Sequence, residues 1–369
     1  MLLSRRNFFT QTPSDAKSMC RMRELMVTKV WQFVVAFSLS AFAASESAIA
    51  ATCPPLVTCD APPLKHTNRK WRHPIQGALA ADLGKPRHRG RDLKLTPTED
   101  QFVVAKFAYG IADKDLEGEE VDIYLQTNCT TWDKLGTGTT LRDGRHKNWD
   151  KHDDIYENVK ARAGILNFKI PDSKRLGIGR HRVRLVVAGD GTFTDMYLDI
   201  VPPGTQVFVT DIDGTLTTSE SVEFIKLLEG KVAGAHPSSA NAMRILASKG
   251  YRPFYMSARP SWLTPRSREF VAERNFPQGM VHSSPVETGL LGKAAADYKL
   301  AELEFLTKRG FIIAYAFGNQ PSDSEAYATL KIPKQNRIFY QIKGDYVGRS
   351  INSYAELITE FNALPNVCQ

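Results

Sequence analysis

At Gly204 the hydrophobic period of this chain changes, and that change restricts the folds open to it more than any other feature. Upstream, apolar residues alternate with polar ones: Val121, Ile123, Leu125; Val183, Leu185, Val187; Met196, Leu198, Ile200. A period of two puts such residues on one face of a strand. Turn signals at Asp143-Gly144, Gly177-Ile178-Gly179 and Gly189-Asp190-Gly191 separate the runs, which predicts a small antiparallel β-sandwich. Downstream, short apolar runs alternate with helical stretches. The runs are Val207-Phe208-Val209, Phe254-Tyr255-Met256, Gly279-Met280-Val281, Ile312-Ile313-Ala314-Tyr315 and Ile338-Phe339-Tyr340, and the helical stretches fall at 238–249, 265–274, 294–308, 322–330 and 353–362. That order predicts βαβ units around a parallel sheet, with ligands bound beyond the carboxyl ends of its strands.

Length and composition agree with two folded domains. The chain has 369 residues, 42% hydrophobic and 24% charged, which excludes collagen-like, coiled-coil and wholly disordered chains. We divide it into an export segment at 1–50, a basic Pro-rich linker at 51–94, the β-sandwich at 95–203 and the α/β domain at 204–369. In the first segment Lys29 precedes an apolar run at 30–44, and Ala48-Ile49-Ala50 offers a small-residue cleavage site. The run is shorter than the roughly 20 residues of a spanning helix. This pattern predicts export to a periplasmic, extracellular or membrane-surface location, with translation starting at Met22 or Met26. Ser4-Arg5-Arg6-Asn7-Phe8-Phe9 resembles a twin-arginine motif and is the alternative route.

Cleavage after Ala50 leaves Cys53, Cys59, Cys129 and Cys368, an even number suited to disulfides. The simplest local pairing is Cys53 with Cys59, leaving Cys129 with Cys368; spacing does not fix connectivity. The net charge of +8 favours acidic partners: phosphate esters, anionic lipid or nucleic acid. The basic runs at 65–73 and 87–91 read as a solvated arm able to touch an anionic membrane, and no nucleic acid is expected. His146, His152, Asp153 and Asp154 read as a solvated loop.

The chemistry concentrates directly after the first downstream strand, in Thr210-Asp211-Ile212-Asp213-Gly214-Thr215-Leu216-Thr217. Two carboxylates one residue apart can divide the labour: one attacks phosphorus and the other protonates the leaving oxygen. Gly214 lets the backbone turn tightly beside a ligand. An Asp-Gly turn after a strand is common, but it explains neither Asp211 nor Thr215.

On these residues the chain resembles the haloacid-dehalogenase superfamily of aspartyl-phosphate phosphatases, whose three-layer α/β/α parallel sheet is the expected fold. Ser257 looks like its second-motif hydroxyl and Asp323 like its acidic metal ligand. Lys299, with Lys293 as rival, looks like its third-motif lysine. The likeness narrows to the lipins and the C-terminal module of membrane-associated phosphatidylinositol-transfer proteins. It is carried by Tyr255-Met256-Ser257-Ala258-Arg259-Pro260, Asn275-Phe276-Pro277-Gln278-Gly279 and Ala316-Phe317-Gly318-Asn319-Gln320-Pro321-Ser322-Asp323. Upstream, Arg182-Val183-Arg184-Leu185-Val186-Val187-Ala188-Gly189-Asp190 resembles the β-segment preceding that module.

The resemblance implies a Mg²⁺-dependent phosphatase that hydrolyses a phosphate monoester through an aspartyl-phosphate, with phosphatidate as the leading substrate. Asp211 and Asp213 would be catalytic, and Gly214, Thr215, Ser257 and Lys299 would hold phosphate. Arg259 would meet the headgroup, and Asp211, Asp213, Asp323 and Asn319 would hold the metal. Lipins keep both aspartates, whereas the animal transfer-protein modules lack the first and are thought to bind phosphatidate without cleaving it. A phosphatase of soluble monoesters and a non-catalytic phosphatidate-binding module are therefore the alternatives. Ser322 departs from the Asn of the lipin pattern. The short interval between Thr217 and the helix near Ser238 leaves no room for a large cap, and Trp262 and Leu263 are candidates to enter lipid. The oligomeric state is not set by the sequence.

Overall fold

The computed structural model describes residues 59–142, 154–157, 159–218 and 232–368. The export segment, Cys53 and the stretch containing His146, His152 and Asp153 lie outside them.

Helix α1 (Pro74–Asp82) leads into β1 (Arg89–Arg91), β2 (Leu93–Leu95), β3 (Phe102–Lys106), β4 (Ala108–Tyr109), β5 (Lys114–Asp115), β6 (Glu120–Thr127), β7 (Thr131–Thr139), β8 (Asp154–Tyr156), β9 (Val159–Lys160), β10 (Ile165–Lys169), β11 (Gly179–Val187) and β12 (Phe193–Ile200). A three-stranded sheet, β1-β3-β10, faces a five-stranded one ordered β2-β12-β11-β6-β7. Residues of both sheets share one core: Val103 and Leu166 from the first, Val121, Ile123, Val183, Leu185, Met196 and Leu198 from the second. The period of two therefore marks the buried face. Pairing is antiparallel except where β2 joins β12 in parallel.

The segment read as a linker is largely structured. Its strands β1 and β2 complete the two sheets, and Ala80 of α1 joins the core. Several of its basic residues pair with buried carboxylates. Arg69 donates to Asp122 at 2.7 and 3.1 Å, Arg89 to Asp113 at 2.6 and 2.7 Å, and Lys94 to Asp199 at 2.8 Å. Strand β1 (Arg-Gly-Arg) carries no apolar side chain and β2 (Leu-Lys-Leu) is only three residues long, so neither showed a period to read and composition pointed to a linker. The disulfide expectation is also corrected: Cys59 pairs with Cys129, with Cα atoms 5.3 Å apart, and Cys368 is disulfide-bonded as well. Strand pairing of β6 with β7 carries Cys129 to the chain entering at Cys59, where Gln126 donates to the Asp60 carbonyl.

The second half carries β13 (Gln206–Asp211), α2 (Ser239–Ser248), β14 (Arg252–Pro260), α3 (Thr264–Glu273), β15 (Met280–Ser284), α4 (Gly292–Lys308), β16 (Ile312–Gly318), α5 (Pro321–Thr329), β17 (Arg337–Tyr340), β18 (Arg349–Ile351) and α6 (Ile358–Ala363). Its six-stranded sheet runs β15-β14-β13-β16-β17-β18, parallel throughout. Successive residues of β13 point to opposite faces. Phe208 packs with Met243 and Leu246 of α2, Phe270 of α3 and Phe361 of α6. Val207 and Val209 pack with Leu303 and Leu306 of α4 and Ala326 and Tyr327 of α5. A sheet covered on both faces is compatible with the haloacid-dehalogenase-like fold expected from the motifs. Strand β18 was not anticipated; three residues with an exposed centre leave no pattern.

Buried polar contacts join the halves. The Asp92 carboxylate, fully buried, accepts from the Tyr197 amide (2.9 Å) in the sandwich, and from Arg268 of α3 (2.6 Å) and the Val281 amide of β15 (3.0 Å).

Candidate functional site

The sequence motifs converge at the carboxyl edge of the parallel sheet. Asp211 ends the central strand β13, whose register sets it beside Met256 of β14, one residue before Ser257. Beyond β13 the chain turns through Gly214 at φ 74°, a left-handed conformation that glycine adopts without strain. The Leu216 and Thr217 amides return to the Ile212 carbonyl at 2.9 and 3.1 Å. On the other side, β16 ends at Gly318 and α5 begins. A Cβ on Gly318 would lie 2.4 Å from the Asp323 Cβ, so glycine is what lets Asp323 approach. Asp323 closes the first turn of α5, its Oδ2 accepting from the Asn319 and Gln320 amides at 3.0 Å each.

Lys299 of α4 completes the centre. Its ammonium donates to Asp211 Oδ1 at 2.7 Å and to Asp323 Oδ1 at 2.5 Å. All three groups are buried. Burial pushes the Asp211 carboxyl up; Lys299 opposes this, and Asp323 and Asp213 add to it, leaving it at about 8. Burial pulls Lys299 down, but Asp211 and Asp323 outweigh it and hold the ammonium above its ordinary value. The rivalry between lysines is thus resolved by position: Lys293 is exposed and pairs with Asp297 at 2.9 Å.

Asp213 sits beside this trio. Its Oδ2 accepts from Ser257 Oγ at 2.6 Å, and Arg259 stands 2.6 Å from its Oδ1 as an ion pair that lacks hydrogen-bond alignment. Ser257 in turn accepts from the Arg259 amide at 3.1 Å. The Thr215 hydroxyl lies 3.0 Å from both Asp211 Oδ2 and the Asn319 side chain. One hydroxyl proton cannot serve two acceptors, so an Asn319 amide turned to donate, with Thr215 donating to Asp211, satisfies the set. Thr215 therefore orients Asp211, and the Gly214 amide donates to Thr217 Oγ1 at 2.9 Å. Gly214 and Thr215, two of the four residues expected to hold phosphate, thus make hydrogen bonds that shape the loop.

A cleft of about 820 Å³ opens over Asp211, Asp213, Arg259 and Lys299, walled by Gln320, Pro321 and Ser322 and by the loop Thr288 to Gly292. Sequence reasoning missed that loop. Its signal was an apolar pair, Leu290-Leu291, between glycines that both take positive φ; Leu291 is 90% exposed. At the cleft floor three carboxylates, Asp211, Asp213 and Asp323, face two cations, Lys299 and Arg259. Among the described residues no cluster of three His, Cys, Asp or Glu side chains forms a metal centre. The oxygen-only donors and the surplus negative charge nevertheless suit a hard divalent cation.

Comparison with known proteins defines the class first. Residues 208–342 match the family model of the PITM 1-3 LNS2 domain, and residues 86–153 and 146–200 match that of the PITM 1-3 beta-sandwich domain. Over most of its length the chain is also similar to longer proteins. It is 28% identical to protein retinal degeneration B of Drosophila melanogaster over 74% of this chain and 19% of that protein. It is 29% identical to membrane-associated phosphatidylinositol transfer protein 3 of Mus musculus over 72% of this chain and 24% of that protein. The chain thus spans less than a quarter of the length of these relatives.

Proposed function

We propose that the cleft recognises the phosphate monoester of a lipid headgroup, phosphatidate being the simplest. The observation that carries this is the Asp211–Lys299–Asp323 cluster beside Asp213, Ser257 and Arg259 at the floor of an open cleft. Preorganised donors at the end of a parallel sheet suit a phosphoryl group. The match to the LNS2 domain, and relatives named for phosphatidylinositol transfer, support recognition of lipid. A phosphate dianion entering a floor with surplus carboxylate needs added positive charge. Asp211, the Asp213 carbonyl, Asp323 and Asn319 would hold Mg²⁺, which supplies that charge and polarises the phosphoryl oxygens.

A second reading, hydrolysis, is favoured by the presence of both aspartates. Asp211 attacks phosphorus, forming an O–P bond to its carboxylate as the bond to the lipid oxygen breaks. Asp213 gives that oxygen its proton and then takes one from the water that cleaves the aspartyl-phosphate. Lys299 and Arg259 offset charge on the transferring group.

The test is Mg²⁺-dependent binding to phosphatidate vesicles and phosphate release from phosphatidate in mixed micelles, beside glycerol 3-phosphate and Asp211→Asn. Vesicle binding without release makes the chain a phosphatidate-recognition module. Release that needs Asp211 and prefers phosphatidate makes it a lipid phosphatase. Equal release from glycerol 3-phosphate moves it to soluble esters, and neither binding nor release overturns the proposal.

A further inference from the structure

Helix α4 carries Lys299 into the cleft, and the same helix is gripped by the β-sandwich. Glu302 lies three residues on, about 4.5 Å along the helix axis from Lys299. Both its oxygens accept from Arg91 of β1 at 2.8 Å. Glu302 also accepts from His282 Nδ1 at 2.5 Å, and His282 Nε2 faces the Asp92 carbonyl at 2.6 Å. Both ring nitrogens thus face oxygens that can only accept. Arg91 continues to Glu157 at 3.5 Å. Glu157 pairs with Arg309 at the end of α4, and Arg309 donates to Glu99 at 2.7 Å.

Glu302, Arg91, Glu157, Arg309 and Glu99 therefore alternate in sign along one side of the helix. Burial pushes Glu302 up, but Arg91 and His282 outweigh it and hold the carboxyl below its ordinary range. Nothing in this ladder touches the cleft. What it fixes is the axial position and rotation of α4, and Lys299 must reach two carboxylates at once, at 2.7 and 2.5 Å. A helix displaced by a fraction of a turn loses one of them, since a hydrogen bond fails within an ångström.

We propose that Arg91 and Glu302 are positioning residues for Lys299, which makes the sandwich a working part of the phosphate cleft. The inference rests on the proposed recognition of a phosphate monoester. Groups that orient a functional side chain from behind commonly matter by about ten- to a hundredfold.

The test compares full-chain wild type, Arg91→Gln, Lys299→Met and Arg268→Gln. Each is measured with Mg²⁺ on vesicles of phosphatidylcholine containing either phosphatidate, a monoester, or phosphatidylglycerol, a diester. Arg268 also crosses the seam, through Asp92, but does not touch α4, and so controls for loss of the seam itself. Arg91→Gln and Lys299→Met should each lose the preference for phosphatidate about tenfold or more while phosphatidylglycerol binding stays, and Arg268→Gln should keep it. An undiminished preference in folded Arg91→Gln, or an equal loss in Arg268→Gln, overturns the inference alone. Absence of any phosphatidate preference in wild type overturns the proposed function and the inference with it. Should Arg91→Gln not fold, Glu302→Gln, which keeps the side chain's shape, carries the same comparison.

Discussion

The cleft and the seam, both served by the Lys299 helix, handle buried charge in opposite ways. At the cleft, three carboxyl groups cluster with two cations; at the seam, Glu302, Glu157 and Glu99 alternate with Arg91 and Arg309, so that each cation is held between two carboxylates. Balanced, hydrogen-bonded charge satisfies itself and holds domains in register. Burial, with the neighbouring Asp323 and Asp213, raises the Asp211 pKa against the pull of Lys299 and leaves a site that gains from a ligand. Excess charge at a floor is thus a mark of function, and alternating charge along a seam a mark of architecture.

That contrast breaks most visibly at Asp211. If the cleft hydrolyses, Asp211→Asn should lower phosphate release by on the order of 10⁴-fold or more. It should leave stability nearly unchanged, because burial already disfavours the charged carboxylate that the amide replaces. Thermal unfolding beside a release assay checks both; a large loss of stability would make the cleft architectural.

The seam should show the reverse. Asp92→Ala leaves Arg268 and the Tyr197 and Val281 amides without their carboxylate, at a cost of about 3–5 kcal/mol in urea unfolding. A loss below about 1 kcal/mol would show that the seam does not hold the halves together.

His88 sharpens the comparison as a buried group that is kept uncharged. Its Nδ1 accepts from the Ala108 amide at 3.3 Å and its Nε2 faces Thr192 Oγ1 at 2.8 Å. Burial lowers it from 6.5 to about 4. Unfolded, it takes a proton first on acidification, so its contribution is complete above pH 6.5, declines as pH falls and is gone below about 4. The change is about 3 kcal/mol. Stability measured between these limits should drop by that much more in wild type than in His88→Gln; parallel curves would reject it.

The smallest effect belongs to Lys293. Its pair with Asp297 is fully exposed, so Lys293→Ala should leave stability nearly unchanged and weaken phosphatidate binding far less than Lys299→Met. A loss matching that of Lys299→Met would return the third-motif role to Lys293.

How much could be read in advance follows from where each signal is written. The alternation at 121–125 and 183–200 and the apolar runs at 207–209 and 254–256 are local, and they gave the five-stranded layer of the sandwich and the parallel sheet. The Asp211 motif is also local, because the chemistry needs two carboxylates on one turn. Strands β1 and β2 were missed because their side chains answer to carboxylates far along the chain: Arg91 to Glu302, Lys94 to Asp199. The contact of Thr215 with Asn319 was hidden for a similar reason, since Asn319 reaches it from another strand end.

By itself, then, the sequence determined the two fold types, the order of the motifs and the identity of the cleft's acids and bases, all of which depend on neighbours within a few residues. Tertiary structure alone decided that Lys299 and not Lys293 meets Asp211, that Cys59 finds Cys129, and that the sandwich grips the helix behind the cleft. Each of these is a pairing across many residues of chain, and a charge or a thiol carries no local mark of the partner that folding will bring to it.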